Sequence, residues 1–171
     1  MRRLIANDGL SRRSLFLLAM PLAAQNTPRF HNTYTTSQSF TLSSSAAVLT
    51  LQQPAASANT VELLYARIES TVALAFELER DGTAATATAT TEVGTTVLTP
   101  TAAATAFQAS DVGNGTTIDT ILVQLDQAVT VDLSRTGYNI WLVGVGTTKN
   151  FSVRSASGTG TVRITICWRE W

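Results

Sequence analysis

The side chains that most often act as a general base or a strong nucleophile near neutral pH are scarce in this 171-residue chain. It has one histidine, His31, and one cysteine, Cys167. Nucleophilic catalysis needs a base within hydrogen-bond reach of the nucleophile, and serine and threonine are so evenly spread that none stands out as one. Glu77 and Glu79 fall on one face of an alternating stretch and are the only closely spaced carboxylates that suggest a glycosidase pair. Alternating acids on a strand are more simply its solvated face. Asp119, Asp126 and Asp132 are scattered. Asp111-Val112-Gly113-Asn114-Gly115 lacks the ligand spacing of a calcium loop and reads as a turn. Gly144 to Lys149 is glycine-rich without the order of a phosphate loop. A lone cysteine provides neither a disulfide framework nor a cysteine-based metal site; beside Trp168, Cys167 reads as a small packed residue rather than a reactive thiol. Asn114-Gly115-Thr116 and Asn150-Phe151-Ser152 match the glycosylation pattern by letter. The expectation is a non-enzymatic protein with no catalytic residue, no metal and no cofactor.

The aromatic residues offer a different chemistry. Trp141, Trp168, Trp171, Tyr138 and Tyr65 have the types that line sugar platforms and protein interfaces. Trp141 and Trp168 lie inside alternating stretches and are expected to anchor the core. Trp171, at the free end beside Arg169 and Glu170, is expected at a contact with another chain.

These residues need a sheet to hold them. From Thr161 onward, Val162, Ile164, Ile166 and Trp168 alternate with Arg163, Thr165, Cys167 and Arg169, a strand with one buried face. It is the best candidate for the centre of a sheet, and its semi-polar face is expected to meet solvent or a partner. Upstream, short alternating runs are bounded by turn residues. Asn26 to Thr36 reads as a linker, and Ser37 to Leu42 as a strand with Phe40 and Leu42 inward. Ala46 to Leu51 is a short strand closed by Gln52-Gln53-Pro54. Val61 to Ser70 places Leu64, Ala66 and Ile68 opposite Leu63, Tyr65 and Arg67. Val72 to Arg80 places Val72, Leu74, Phe76 and Leu78 opposite a wet face that includes Glu77 and Glu79.

Asp81-Gly82 is a hairpin-type turn signal. The alanine-threonine run Thr83 to Thr91 gains little from burial and needs cover at an open edge. A weak strand near Thr95 to Ala106 is anchored by Phe107. Thr117 to Leu125 points Ile121, Val123 and Leu125 inward, and Val129 to Leu133, Tyr138 to Val145 and Phe151 to Arg154 follow. The pattern is all-β, an antiparallel β-sandwich or jelly roll of about 8–10 short strands with turns about every 8 to 12 residues. Residues 1–32 form an extended N-terminal arm and residues 33–171 the sandwich domain.

The net charge of zero is unevenly divided. Residues 1–30 carry five arginines against Asp8, and the remainder carries seven basic against eleven acidic residues, so an arm of +4 precedes a body of −4. Within the arm, Ser11-Arg12-Arg13-Ser14-Leu15-Phe16-Leu17 resembles the twin-arginine export motif, and Leu22-Ala23-Ala24-Gln25 resembles a small-residue cleavage region. The apolar run Leu15 to Ala24 contains Pro21 and is too short for a membrane span. The reading preferred here is a retained arm whose Arg12, Arg13, Leu15, Phe16, Leu17 and Leu18 dock on a neighbour; the alternative is a cleaved export signal.

Ala66-Arg67-Ile68, Gly82-Thr83 with the alanine-threonine run to Thr91, Ala102 to Phe107, Asn150 to Arg154 and Thr159 to Thr165 together resemble small sandwich proteins found among tailed-bacteriophage structural genes. The resemblance covers roughly residues 60–168. It implies a virion component, a capsid decoration or cement protein or a head-to-tail or tail accessory, whose partners are copies of itself in a trimer or other cyclic oligomer and other virion proteins. Neither membrane nor nucleic acid is expected as a partner. The alternative is an exported β-sandwich binding module of the periplasm or cell surface, binding carbohydrate through exposed aromatics.

Overall fold

A computed structural model describes residues 32–43, 46–82, 93–94, 102–108, 115–134, 140–143 and 148–171. Eleven strands are assigned among them: β1 (Asn32–Ser43), β2 (Val48–Gln53), β3 (Thr60–Ser70), β4 (Leu74–Arg80), β5 (Val93–Gly94), β6 (Thr105–Gln108), β7 (Thr116–Val123), β8 (Gln127–Asp132), β9 (Trp141–Val143), β10 (Lys149–Ser155) and β11 (Thr159–Glu170). No helix occurs among the described residues.

All strand pairs are antiparallel. One sheet has the order β5-β1-β11-β3-β8, with β9 also on β3, and the other has the order β6-β2-β10-β4-β7. The inner eight strands, β1-β11-β3-β8 facing β2-β10-β4-β7, have jelly-roll connectivity, in which the chain crosses between sheets at every step from one of the eight to the next except from β4 to β7. The short strands β5 and β6 widen one side, and β9 continues the β8 edge. This resolves the sandwich-or-jelly-roll expectation, with one strand more than the upper end of the 8–10 anticipated.

The alternation of the last strand has the consequence expected of it. β11 sits between β1 and β3, and Val162, Ile164, Ile166 and Trp168 are fully buried. A side chain of this size contributes about 1.5–3 kcal/mol on burial, so this strand holds a large share of the core. Opposite it across the sandwich lie Leu49, Leu51, Phe76, Leu78, Phe151 and Val153, also buried.

Several local expectations are corrected. The linker ends earlier than Thr36, because Asn32 to Thr36 pair with Glu170 to Ile166. Tyr34 is buried there and stacks on Trp168, with ring centroids 5.7 Å apart and planes inclined by 24°. The polar letters of this stretch hid an alternation whose inward positions are Tyr34 and Thr36. β2 runs past Leu51 to Gln53, whose buried side chain donates to Ser57 Oγ and to the Asn59 carbonyl.

In β3, Leu63 rather than Leu64 joins Ala66 and Ile68 in the core. Cys167 pairs with Tyr65 while Trp168 pairs with Leu63, so Leu64 is an inserted bulge residue that inverts the phase. The same point divides the outer edge of β3. Leu133 N–H donates to the Leu64 carbonyl after β8 ends, and Leu63 N–H donates to the Ile140 carbonyl as β9 begins.

β4 starts at Leu74, because Val72 packs at the turn before it. Gly160 has φ +141°, and a Cβ there would lie 2.8 Å from Val72 Cγ1, so glycine is required. Glu79 is buried rather than wet, with Arg154 Nε 3.6 Å from its carboxylate. Asp81 does turn, in the left-handed region. It does not open a hairpin against β4, because the two edges of β4 are taken by β10 and β7. The strand after it, Thr83 to Thr91, lies outside the described residues. In β6 the inward residue is Ala106, with Phe107 on the other face and half-buried. β7 ends at Val123, so Leu125 falls in the following turn and is exposed instead of entering the core.

The far end of β11 is closed by Glu170, whose side chain is buried. One carboxylate oxygen accepts from Ala104 N–H (3.0 Å) and the Trp168 indole N–H (3.0 Å), the other from Ala103 N–H (2.8 Å) and the Asn59 amide (3.4 Å). Removing it leaves buried donors without an acceptor, each costing about 1–3 kcal/mol. The variant Glu170→Ala is expected to lose about 3 kcal/mol of stability with an unchanged m-value, measured by urea unfolding.

Candidate functional site

The two outer faces of the sandwich differ. On the five-stranded sheet the outward Thr50 and Ser152 are buried and bonded to each other, Oγ1 to Oγ, at 2.9 Å. On the six-stranded sheet the outward residues form an open polar array. Register places Ser37, Thr165, Arg67 and Thr130 in one row, and Ser39, Arg163, Glu69 and Ala128 in the next. An open groove of about 410 Å³ crosses the second row. It is closed at one end by the β7–β8 turn, where Gln127 N–H donates to the Gln124 carbonyl at 3.2 Å and Asp126 adopts φ +54°. Asp and Asn tolerate this backbone better than other residues with a Cβ. At the other side Thr71 and Thr161 tie β3 to β11: Thr71 N–H donates to the Thr161 carbonyl (3.0 Å), and Thr161 N–H donates to Thr71 Oγ1 (2.9 Å).

Two arginines with different attachments define the groove. Arg67 is paired with Glu69 at 2.7 Å. Arg163, although directly across from Glu69, makes no ion pair among the described residues; its Nε donates to Ser37 Oγ at 3.1 Å, and Ser37 Oγ is hydrogen-bonded to Thr165 Oγ1 at 2.8 Å. A guanidinium held through Nε keeps its two-nitrogen fork for an oxyanion. The expectation that Arg163 and Thr165 lie on an accessible face is met. Glu69, Gln127 and Ser39 were not singled out from sequence, and Asp126 was noted only as one of three scattered acids. The outward parity of Arg67 and Glu69 was the available signal for the first of them.

The other sequence candidates are distributed as follows. Arg12, Arg13, Leu15, Phe16, Leu17 and Leu18 lie outside the described residues, as do His31, Asp111 to Asn114, Gly144 to Gly146 and Tyr138; the same holds for the side chain of Trp141. Trp168 is core and cannot serve as a sugar platform. Trp171 is half-buried and tied inward: its N–H and carbonyl exchange hydrogen bonds with Thr60 (3.3 and 3.1 Å), and the Arg169 guanidinium lies 5.6 Å from its ring centroid. Arg169 in turn pairs with Glu62.

Glu77 and Glu79 do not act together, since the first is exposed and the second buried. Asp119, Asp126 and Asp132 remain apart, Asp132 accepting from Ser134 N–H and Oγ. Asn150 is buried, with its amide clamping Gly82 through both atoms at 2.9 Å. That sequon is therefore used as a structural clamp, and a glycan there would break it. Among the described residues no three His, Cys, Asp or Glu side chains converge on a metal position, and no helix is long and apolar enough to cross a membrane.

Cys167 is 4% exposed and faces Tyr65 across the strand pair. Burial pushes its thiol above the ordinary value, with the Tyr65 hydroxyl partly opposing the rise. The Tyr65 phenol is raised by burial and then by Cys167, and the Tyr34 phenol by burial and then by Glu170.

Comparison with family models, with curated proteins and with solved structures gives no match for this chain. What the fold and the groove define is thus a class, a jelly-roll protein with one open polar sheet face.

Two outcomes follow from the raised thiol and phenols. All three groups are held neutral by the fold, so the stability they contribute is complete below their unfolded values, near 9 for the thiol and 10 for the phenols, and is lost as pH rises through their higher folded values. Chemical denaturation midpoints should therefore fall at alkaline pH beginning above about 9. A disulfide reagent at pH 8 should label Cys167 only after denaturant is added; rapid labelling of the native chain would contradict its placement.

Proposed function

We propose that this chain is a non-enzymatic structural component of a phage virion, a capsid decoration or cement protein or a head-to-tail or tail accessory, that assembles as a cyclic oligomer through its arm and its sheet surface. The observation that carries the reading is the β7 corner. β7 ends the five-stranded sheet, and its outer edge is unpaired among the described residues. Leu122 and Leu125, 69% and 61% exposed, are the exposed large apolar side chains of the described residues; Leu122 stands at that corner beside Ala73 and Ala75, and Leu125 follows in the turn that leaves β7. An open strand edge with apolar residues at its end is a template for pairing with another chain. Jelly rolls are common in viral capsids, and the basic arm before the first strand supplies a second contact by sequence. The resemblance to phage structural proteins points the same way.

The second reading, an exported carbohydrate-binding module, is favoured by the open polar groove and by the Ser11 to Leu17 motif. Intact mass of the native protein separates the two, since a chain beginning after Ala24 would sink the retained arm. For the full chain, light scattering after size exclusion is expected to give a discrete oligomer that Leu122→Glu combined with Leu125→Glu reduces to smaller species without lowering the unfolding midpoint. Deletion of residues 1–24 is expected to abolish incorporation into particles. A monomer at high concentration, or a truncated chain that still incorporates, would count decisively against the proposal.

A further inference from the structure

The geometry points to the groove on the six-stranded sheet as a binding site for an acidic saccharide, in which Arg163 receives the carboxylate of a uronic acid residue. This goes beyond the assembly reading and stands independently of it, because the groove and the β7 corner are different surfaces.

The polar groups that meet in the groove select its ligand. Arg163 is held through Nε by the Ser37–Thr165 hydroxyl pair, and its terminal nitrogens have no protein partner among the described residues. Glu69, the acid across from it, is committed to Arg67. A planar guanidinium fork takes a carboxylate or a phosphate in bidentate fashion, and the surroundings decide between them. The rest of the lining excludes simpler anions. Glu69 and Asp126 at the walls repel an anion of dense charge and few hydroxyls, as sulfate, the phosphate dianion and a nucleic-acid backbone are. The same two carboxylates, with the Gln127 carbonyl oxygen, accept from hydroxyls, while Ser39 and Thr161 both donate and accept. The ligand that satisfies both sets carries one carboxylate amid several hydroxyls. A volume of about 410 Å³ is within the range of small-ligand sites, and an open groove on a flat sheet accommodates a chain of such units passing through.

The test is titration of the full chain with oligogalacturonate, followed by calorimetry and by amide chemical shifts, with a neutral gluco-oligosaccharide and inorganic phosphate as parallel arms. Oligogalacturonate is expected to bind and to shift residues of β3, β11 and the β7–β8 turn, while the other two do not. Arg163→Gln is expected to weaken binding about ten- to hundredfold, the loss expected for a charge-assisted hydrogen-bond pair, with an unchanged unfolding midpoint. Arg67→Gln, which frees Glu69 to repel the ligand, is a second variant that should also weaken it. Equal binding of the neutral oligosaccharide, preferential binding of phosphate, unchanged affinity in Arg163→Gln, or no oligogalacturonate binding at millimolar concentration would each overturn the assignment.

Discussion

The constraint on which most of this structure depends is the buried carboxylate of Glu170. A jelly roll has to close its two sheets at each end, and at this end the last strand of the six-stranded sheet reaches into the segment that enters β6 of the five-stranded sheet. The carboxylate accepts from two consecutive backbone amides, Ala103 and Ala104, from the indole of Trp168, and from Asn59 in the β2–β3 connection. Four donors on two oxygens offset the desolvation of the charge. They also fix Trp168, and through its ring Tyr34, so the start of β1, the end of β11 and the entry to β6 are set by one group. The exchange of hydrogen bonds between Trp171 and Thr60 then follows, because β11 is already held one residue earlier.

The second organising element is the bulge at Leu64. By inserting one residue into β3, it lets Leu63 pack beneath Trp168 while Ala66 and Ile68 stay under Ile166 and Ile164. It also bends the edge at the point where β8 gives way to β9. Downstream of the bulge, Tyr65, Arg67 and Glu69 face outward against Cys167, Thr165 and Arg163. Without that inversion the phase that buries Val61 and Leu63 would carry Tyr65, Arg67 and Glu69 inward, and the open polar face would be lost.

Where the alternation was regular and bounded by turn residues, the fold was legible. Val162 to Trp168 predicted both the burial and the central place of β11, and the all-β class followed from the spacing of the runs. What was not legible came from non-local causes. No local pattern marks Leu64 as an insertion, since its letters continue the alternation of the strand. Glu79 and Glu170 look solvated until Arg154 in one case and the amides of Ala103 and Ala104 in the other are brought up from distant parts of the chain. Asn32 to Thr36 read as a linker because, although threonine and tyrosine suit strands, the stretch has no apolar alternation, and only pairing with Glu170 to Ile166 shows it to be a strand. The groove was half visible: the parity of Arg67 and Arg163 was plain, but the contribution of Asp126 and Gln127 depends on which turn the jelly roll folds over which face.

That turn links the two surfaces. Leu125 and Asp126 are neighbours in a four-residue turn, the first exposed as the chain leaves β7, the second at the wall of the groove. The left-handed backbone of Asp126 separates the directions of the two side chains by geometry that few other residues hold without strain. Under the assembly reading, a neighbouring chain packed on Leu122 and Leu125 restricts this turn and so fixes the acidic wall of the groove. A site whose acceptors are pre-set loses less freedom when a hydroxylated ligand arrives. Under that reading the corner and the groove stay separate surfaces that share one short turn.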